Sequence, residues 1–275
     1  MKTMKRVLVL LLAAVCTVAL IACEEEGVCT YDISSYETSH LIGSARVFYP
    51  CNIDTLSSVH STTATSGYTG SKENMYWIAE SIAEAGMVAI AVSAYDNSTV
   101  AGYERAHKSG VAILQDENGD SGSPLYGKIG SYGTMGWSKG GGGSLNAGTD
   151  LGNEIETCIA LAPWSPNPGY GHTAATLILT GTADLIAPPY MGEGAYNDLD
   201  FLDARGYASM AGEGHMFWGS NSNPGTADDY IIAWLKYFGE GDTSYGSTIE
   251  NPGSDMTDVR LDAPPLELAG GGGCD

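Results

Sequence analysis

Apolar positions recur along the chain at two different spacings, and the alternation of the two is the first sign of its architecture. Residues 72–85 carry Met75, Ile78, Ala79, Ile82 and Ala83, the i, i+3, i+4, i+7, i+8 stripe of a helix packed on one face, with Gly86 as its stop. Residues 87–92 follow as an unbroken apolar run, the pattern of a strand covered on both sides. Residues 45–49 alternate as a strand and 103–114 read as a second helix, with further strands at 132–137, 158–162, 177–180 and 207–210. A last helix begins at Thr226, where Thr226-x-x-Asp229 resembles a capping box, and shows Ala227, Ile231, Trp234, Leu235 and Phe238 on one face. Strands alternating with helices predict an α/β fold: a single doubly wound, mostly parallel sheet with helices on both faces. Residues 59–65 fit least well, since a buried strand there would carry His60, Ser61, Thr62 and Thr63, which leaves its register open.

The two ends of the chain depart from this pattern. Lys2, Lys5 and Arg6 precede a stretch at 7–22 that is apolar except for Thr17. At about 16 residues it is short for a membrane-spanning helix of roughly 20 and has the proportions of a secretory signal. It ends in Leu20-Ile21-Ala22-Cys23, which resembles a bacterial lipobox, so Cys23 is the expected lipidation site and that lipid the only expected contact with a membrane. The expected division is a lipoprotein-type signal at 1–22, a tether and N-terminal segment at 23–40, one globular domain at 41–252 and a tail at 253–275 that includes Gly270 to Gly273. The protein is expected in the cell envelope or secreted.

Charge narrows the partners. Twelve Lys and Arg against 33 Asp and Glu give a formal charge of −21, and loss of the three cations in the signal takes it to −24. Nucleic acid and anionic membrane surfaces both need clustered cations, so neither is expected as a partner. With 43% hydrophobic and only 16% charged residues the chain can bury a core. Beyond the signal and Cys23, four cysteines remain for an oxidising compartment: Cys29, Cys51, Cys158 and Cys274. Three pairings are open to them, of which Cys29 with Cys51 closes the shortest loop. Cys158 sits in an apolar run and is expected as a buried free thiol, while Cys274 is unassigned. With no CxxC pair and five scattered histidines, no metal is expected.

Two serine motifs compete for the chemistry. Gly136-Trp137-Ser138-Lys139-Gly140 is a G-x-S-x-G placed after a predicted strand and before the small-residue segment 140–148. A sharp strand-to-helix turn forces such a serine into a strained conformation and lifts its hydroxyl to a helix N-terminus, where backbone N–H groups can meet an oxyanion. The rival, Gly119-Asp120-Ser121-Gly122-Ser123-Pro124, is close to the nucleophile segment of trypsin-like proteases. That family needs an all-β double barrel and the order His, Asp, Ser, which the alternation of helices with strands contradicts, so the segment reads as a loop. With Ser138 as nucleophile, the order Ser, Asp, His is met by Asp184 and by His215 in Gly212-Glu213-Gly214-His215. His40, His60, His107 and His172 read as surface or packed side chains, His107 sharing a helix face with Tyr103 and Val111.

Between about Ser44 and Pro252 the chain resembles the bacterial cutinase-like polyester hydrolases, including poly(ethylene terephthalate) hydrolases. The resemblance lies in Ser66-Gly67-Tyr68-Thr69-Gly70, Ser123-Pro124-Leu125-Tyr126-Gly127-Lys128, Met135-Gly136-Trp137-Ser138, Gly140 to Leu145, Leu161-Ala162-Pro163-Trp164 and Asp184-Leu185-Ile186-Ala187-Pro188. It implies an α/β-hydrolase fold without a lid domain, acting as a monomer without cofactor on polyesters or other bulky hydrophobic esters. It implies Ser138, Asp184 and His215 as the triad, the amides of Tyr68 and Lys139 as the oxyanion hole, and Tyr68, Trp164 and Ile186 as the substrate groove. A lipase or acylglycerol esterase of the same fold, or a non-catalytic surface-binding lipoprotein, are the alternatives. Lys139 stands where many of these enzymes have methionine, which is expected to put a cation beside the groove and to favour anionic half-esters. Two disulfides found in some relatives are missing, with Ile249 in the region of one and Gly181 and Phe217 near the other.

Overall fold

The structure, a computed structural model, describes residues 27–167, 169–219 and 225–266. The signal segment, Cys23, Cys274 and the glycine tail lie outside the described residues. Among the described residues nine strands form one mixed sheet: β1 Val28–Ser34, β2 Ser44–Pro50, β3 Val59–Thr65, β4 Val88–Ser93, β5 Ile129–Trp137, β6 Thr157–Leu161, β7 Ala175–Gly181, β8 Arg205–Met210 and β9 Met256–Asp262. Their spatial order is β1-β2-β4-β3-β5-β6-β7-β8-β9. Pairings from β4 through β3 to β8 are parallel, and those that add β2, β1 and β9 are antiparallel. The winding direction reverses between β3 and β5. In open α/β sheets the crevice at that switch point, beyond the carboxyl ends of the strands, is where ligands bind.

Five principal helices cover the sheet: α1 Tyr76–Glu84, α2 Val100–Gly119, α3 Lys139–Leu151, α4 Pro189–Asp198 and α5 Thr226–Trp234. α1 and α5 pack on one face and α2, α3 and α4 on the other. β4 shows why a two-sided strand reads as a continuous apolar run: Ala89 and Ala91 face the α1 and α5 core, and Val88, Ile90 and Val92 face α2. Its neighbour β3 is just as buried at all seven positions, yet only Val59 and Ala64 are apolar. Its polar side chains find partners on β5, β6 and α2. His60 reaches Ser131 and Thr157, and Thr63 and Thr65 reach His107. Satisfied hydrogen bonds make such burial tolerable, and they settle the register that the sequence leaves open.

The sheet runs past the 41–252 span drawn from the sequence. β1 pairs with β2 along its whole length, and Cys29 is joined to Cys51 by a disulfide with Cα atoms 4.9 Å apart. Closing a loop of sequence separation 22 is worth about 3 kcal/mol in the chain-entropy account. β9 closes the other edge against β8. Only Ile33 of β1 and only Met256 of β9 are buried, so neither strand leaves a periodic signal. Cys158 is a buried free thiol. The last helix begins at Thr226 as expected, but Gly225 is its N-cap at φ 60° and no side chain caps it, so the expected Thr226 to Asp229 box does not form. α2 extends to Gly119, and the following Asp120 to Pro124 segment is a turn in which the Ser123 hydroxyl donates to Glu117 at 2.6 Å.

Candidate active site

β5 ends at Trp137 and α3 begins at Lys139, so Ser138 alone makes the turn, at φ 58° and ψ −120°. A side chain at positive φ is strained, and the surrounding contacts hold it there. The Ser138 N–H donates to the Leu161 carbonyl at 2.9 Å, and its own carbonyl accepts from Trp164 at 2.8 Å and Gly142 at 3.0 Å. The flanking glycines are required by contact. A Cβ on Gly136 would lie 2.3 Å from the Gly140 carbonyl group, and one on Gly140 would lie 2.3 Å from the Ser66 carbonyl oxygen.

The structure brings Ser138, His215 and Asp184 into one line. His215 Nε2 stands 2.8 Å from Ser138 Oγ, and His215 Nδ1 stands 2.7 Å from Asp184 Oδ2. Asp184 follows β7 through a tight turn in which its N–H donates to the Gly181 carbonyl at 3.0 Å. Its Oδ1 accepts from the Ile186 and Ala187 amides, both at 2.8 Å, which fixes the carboxylate plane. Because a carboxylate oxygen accepts, Nδ1 carries the imidazole proton and Nε2 is left to take a proton from the serine hydroxyl. All three side chains are buried. Trp137, within the motif itself, donates from Nε1 to the His215 carbonyl at 3.0 Å, with its ring 5.4 Å from the imidazole.

Lys139 is the first residue of α3, so its N–H has no acceptor within the helix. Gly67 presses against the serine, since a Cβ there would lie 2.8 Å from Ser138 Cβ, and this places the amide of Tyr68 next along the chain. Tyr68 is 60% exposed, Ile186 54% exposed and Trp164 half-buried. Leu185 and Met216, adjacent in sequence to Asp184 and His215, are exposed as well and add to the apolar rim. The Lys139 side chain is engaged rather than free: Nζ donates to the Ser98 carbonyl at 2.6 Å and lies 4.2 Å from the centre of the Tyr68 ring. It straps α3 to the loop after β3 and to the loop before α2.

The other histidines stand apart from this line. His40 pairs with Asp116 at 2.8 Å. Burial lowers His60 to about 3 and His107 and His172 to about 4, so all three are neutral packed groups at pH 7. Among the described residues no three His, Cys, Asp or Glu converge as a metal site, and no helix is long and apolar enough to cross a membrane. Gly67, Tyr103, His107 and Trp137 are the neighbours to which the sequence reading gave no part in the site: Gly67 and Trp137 stand only within matching segments, and His107 reads as packed or at the surface. The only local signals were the Ser66 to Gly70 and Met135 to Ser138 matches and the i, i+4 spacing of Tyr103 and His107.

The chain is 28% identical to a cutinase of Thermobifida alba over 78% of its own length and 73% of that protein's. It is 29% identical to a cutinase of Thermobifida cellulosilytica, covering 74% of this chain and 76% of the relative. A bis(hydroxyethyl) terephthalate hydrolase of Streptomyces coelicolor is 26% identical over 78% of this chain and 69% of its own. The family model described as PET hydrolase-like matches residues 17–262, and the chain belongs to that family.

Proposed function

We propose that the protein is a serine carboxylesterase that hydrolyses ester bonds in polyesters or other bulky hydrophobic esters. The observation that carries this reading is the hydrogen-bonded line from Ser138 through His215 to Asp184, with the serine on a positive-φ turn at the start of α3. Ser138 Oγ attacks the ester carbonyl carbon while His215 Nε2 takes its proton, and Asp184 holds the resulting imidazolium. The amides of Tyr68 and Lys139 receive the tetrahedral oxyanion. His215 then returns the proton to the departing alcohol. Water repeats the sequence on the acyl-enzyme and releases the acid. Tyr68, Trp164 and Ile186 offer an aromatic and aliphatic groove for the acyl group, each ring contact adding about 0.5–1.5 kcal/mol beyond burial. The exposed rim favours an extended polymer over a substrate sealed in a cavity, as does the cutinase name of several relatives, while the bis(hydroxyethyl) terephthalate hydrolase relative fits a bulky small ester at the same site.

Export through the signal at 1–22, a lipid on Cys23 and action as a monomer complete the reading; Cys23→Ala is then expected to abolish incorporation of a labelled fatty acid into the protein. Release of p-nitrophenol from a short-chain ester tests the chemistry. Ser138→Ala is expected to abolish it, and a wild type without Ser138-dependent turnover would point instead to a surface-binding lipoprotein. Product release from a polyester film against a triacylglycerol emulsion tests the substrate class, a preference for the emulsion favouring a lipase.

A further inference from the structure

Behind the two amides assigned to the oxyanion, α2 carries a polar pair with no part in the triad. Tyr103 and His107 stand one helical turn apart, both fully buried. The Tyr103 hydroxyl donates to the Gly67 carbonyl, with the Asn97 carbonyl 3.2 Å away. His107 Nε2 lies 3.1 Å from the Gly140 carbonyl oxygen and 2.9 Å from Thr65 Oγ1, and Nδ1 lies 2.6 Å from Thr63 Oγ1. A carbonyl only accepts, so Nε2 carries the proton and Nδ1 accepts from the Thr63 hydroxyl. One neutral imidazole thus joins the residue before the Ser66-Gly67-Tyr68 turn to the first turn of α3.

The segments it joins are in backbone contact. A Cβ on Gly140 would fall 2.3 Å from the Ser66 carbonyl oxygen and 2.5 Å from Thr65 Oγ1. One turn beyond His107, a Cβ on Gly110 would fall 2.7 Å from Thr63 Cγ2, so α2 lies directly on β3. The spacing between the Tyr68 and Lys139 amides is therefore set partly by α2, whereas the line from Ser138 to Asp184 is built from β5, β7 and the loop after β8.

We propose that His107 is a positioning residue of the oxyanion hole, fixing the separation of the Tyr68 and Lys139 amides by binding Thr65 and Gly140 at once. The inference rests on Ser138 being the nucleophile. Oxyanion contacts form in the transition state, so a lesion at His107 falls on kcat and spares KM. His107→Gln keeps a donor for Gly140 and an acceptor for Thr63, and His107→Leu keeps neither. Both are assayed on a short-chain p-nitrophenyl ester, with kcat referred to active sites titrated by a fluorophosphonate and melting temperature measured separately. The Leu variant is expected to lose about tenfold or more in kcat with KM within about twofold, a fraction of the 10²–10³ lost with a whole oxyanion donor, and the Gln variant to recover most of it. Equal kcat for the two variants, or a Leu variant that loses only melting temperature, would overturn the proposal. Should the Leu variant not fold, Thr65→Val removes one partner isosterically; a kcat unchanged from wild type then overturns the proposal, and a severalfold fall with KM constant supports it. Loss of Ser138-dependent activity in the wild type itself would instead defeat the parent reading.

Discussion

On the Asp184 side of Ser138 the loops after β7 and β8 are fixed mainly by their own backbone, with the Trp137 indole on the His215 carbonyl and the Thr182 hydroxyl on the Gly212 N–H as the side-chain additions. The Thr182 N–H donates to the Met210 carbonyl at 3.0 Å, the Ala183 N–H to the Glu213 carbonyl at 2.9 Å, and the Asp184 carboxylate caps its own turn. On the Tyr68 side the fixings are side chains from distant segments: Tyr103 on the Gly67 carbonyl, His107 on Thr65 and Gly140, and Lys139 on Ser98 and the Tyr68 ring. On the proposed mechanism the largely backbone-held flank concentrates its chemistry in two side chains, so a change to either is expected to be severe. A flank held by several side chains spreads its function among them, and single lesions there are graded.

The largest effect is expected from Asp184→Asn. The amide cannot hold His215 in the required tautomer, and kcat should fall by about 10⁴ with the fold intact by circular dichroism. A loss below tenfold would break the contrast between the flanks.

Acid should strike next, through stability. His60, His107 and His172 have folded values of about 3, 4 and 4, below the 6.5 of the free side chain, so the unfolded chain takes up three protons that the native state refuses. Stability from this source is full above pH 6.5 and is lost as pH falls toward 4. Asp228, raised to about 6 chiefly by burial, runs the other way: its native state takes a proton before the unfolded state does and offsets one of the three. The net two protons predict a loss of about 2–3 kcal/mol between pH 6 and 5, read from urea midpoints at each pH. A flat profile would mean that the buried histidines are not neutral in the folded protein.

Gly67→Ala should cost about 10- to 100-fold in kcat, because its Cβ would stand 2.8 Å from Ser138 Cβ and push the reacting groups out of line. Activity within twofold of wild type would show that the turn yields freely. The smallest effect is expected from Lys139→Met, which keeps the amide and loses the strap. A cation–π contact of about 0.5–1 kcal/mol predicts a two- to fivefold rise in KM for aryl esters with kcat nearly constant. Comparing a charged monoester with its neutral diester sharpens this: the strap alone weakens both equally, whereas an ammonium that reaches substrate weakens the monoester more.

The legible parts of the fold were those whose cause is local. The stripe on α1, the apolar run of β4 and the glycines around Ser138 each follow from contacts that recur within a few residues. The order Ser138, Asp184, His215 was legible because the loops carrying them follow strand ends. The register of β3 was not, although β3 is as buried as β4 and its bounds were read correctly, because its polarity is offset at a distance: His60 meets Thr157 across 97 residues and Thr65 meets His107 across 42. Hydropathy reads each side chain alone and cannot see a partner. The Lys139 strap was hidden for the same reason, its acceptor Ser98 lying 41 residues upstream.

The disulfide between Cys29 and Cys51 gives the sheet a mechanical property. A pull on the chain upstream of Val28 arrives at the end of β1 where Val28 faces Pro50, the geometry that unzips an antiparallel pair one hydrogen bond at a time. The covalent link at Cys29 intercepts that force and passes it to Cys51, just beyond the end of β2 that faces Val28. A pull on the N-terminus can therefore part only Val28 from its partner on β2 before it meets a covalent bond, so the rest of β1 is shielded from unzipping.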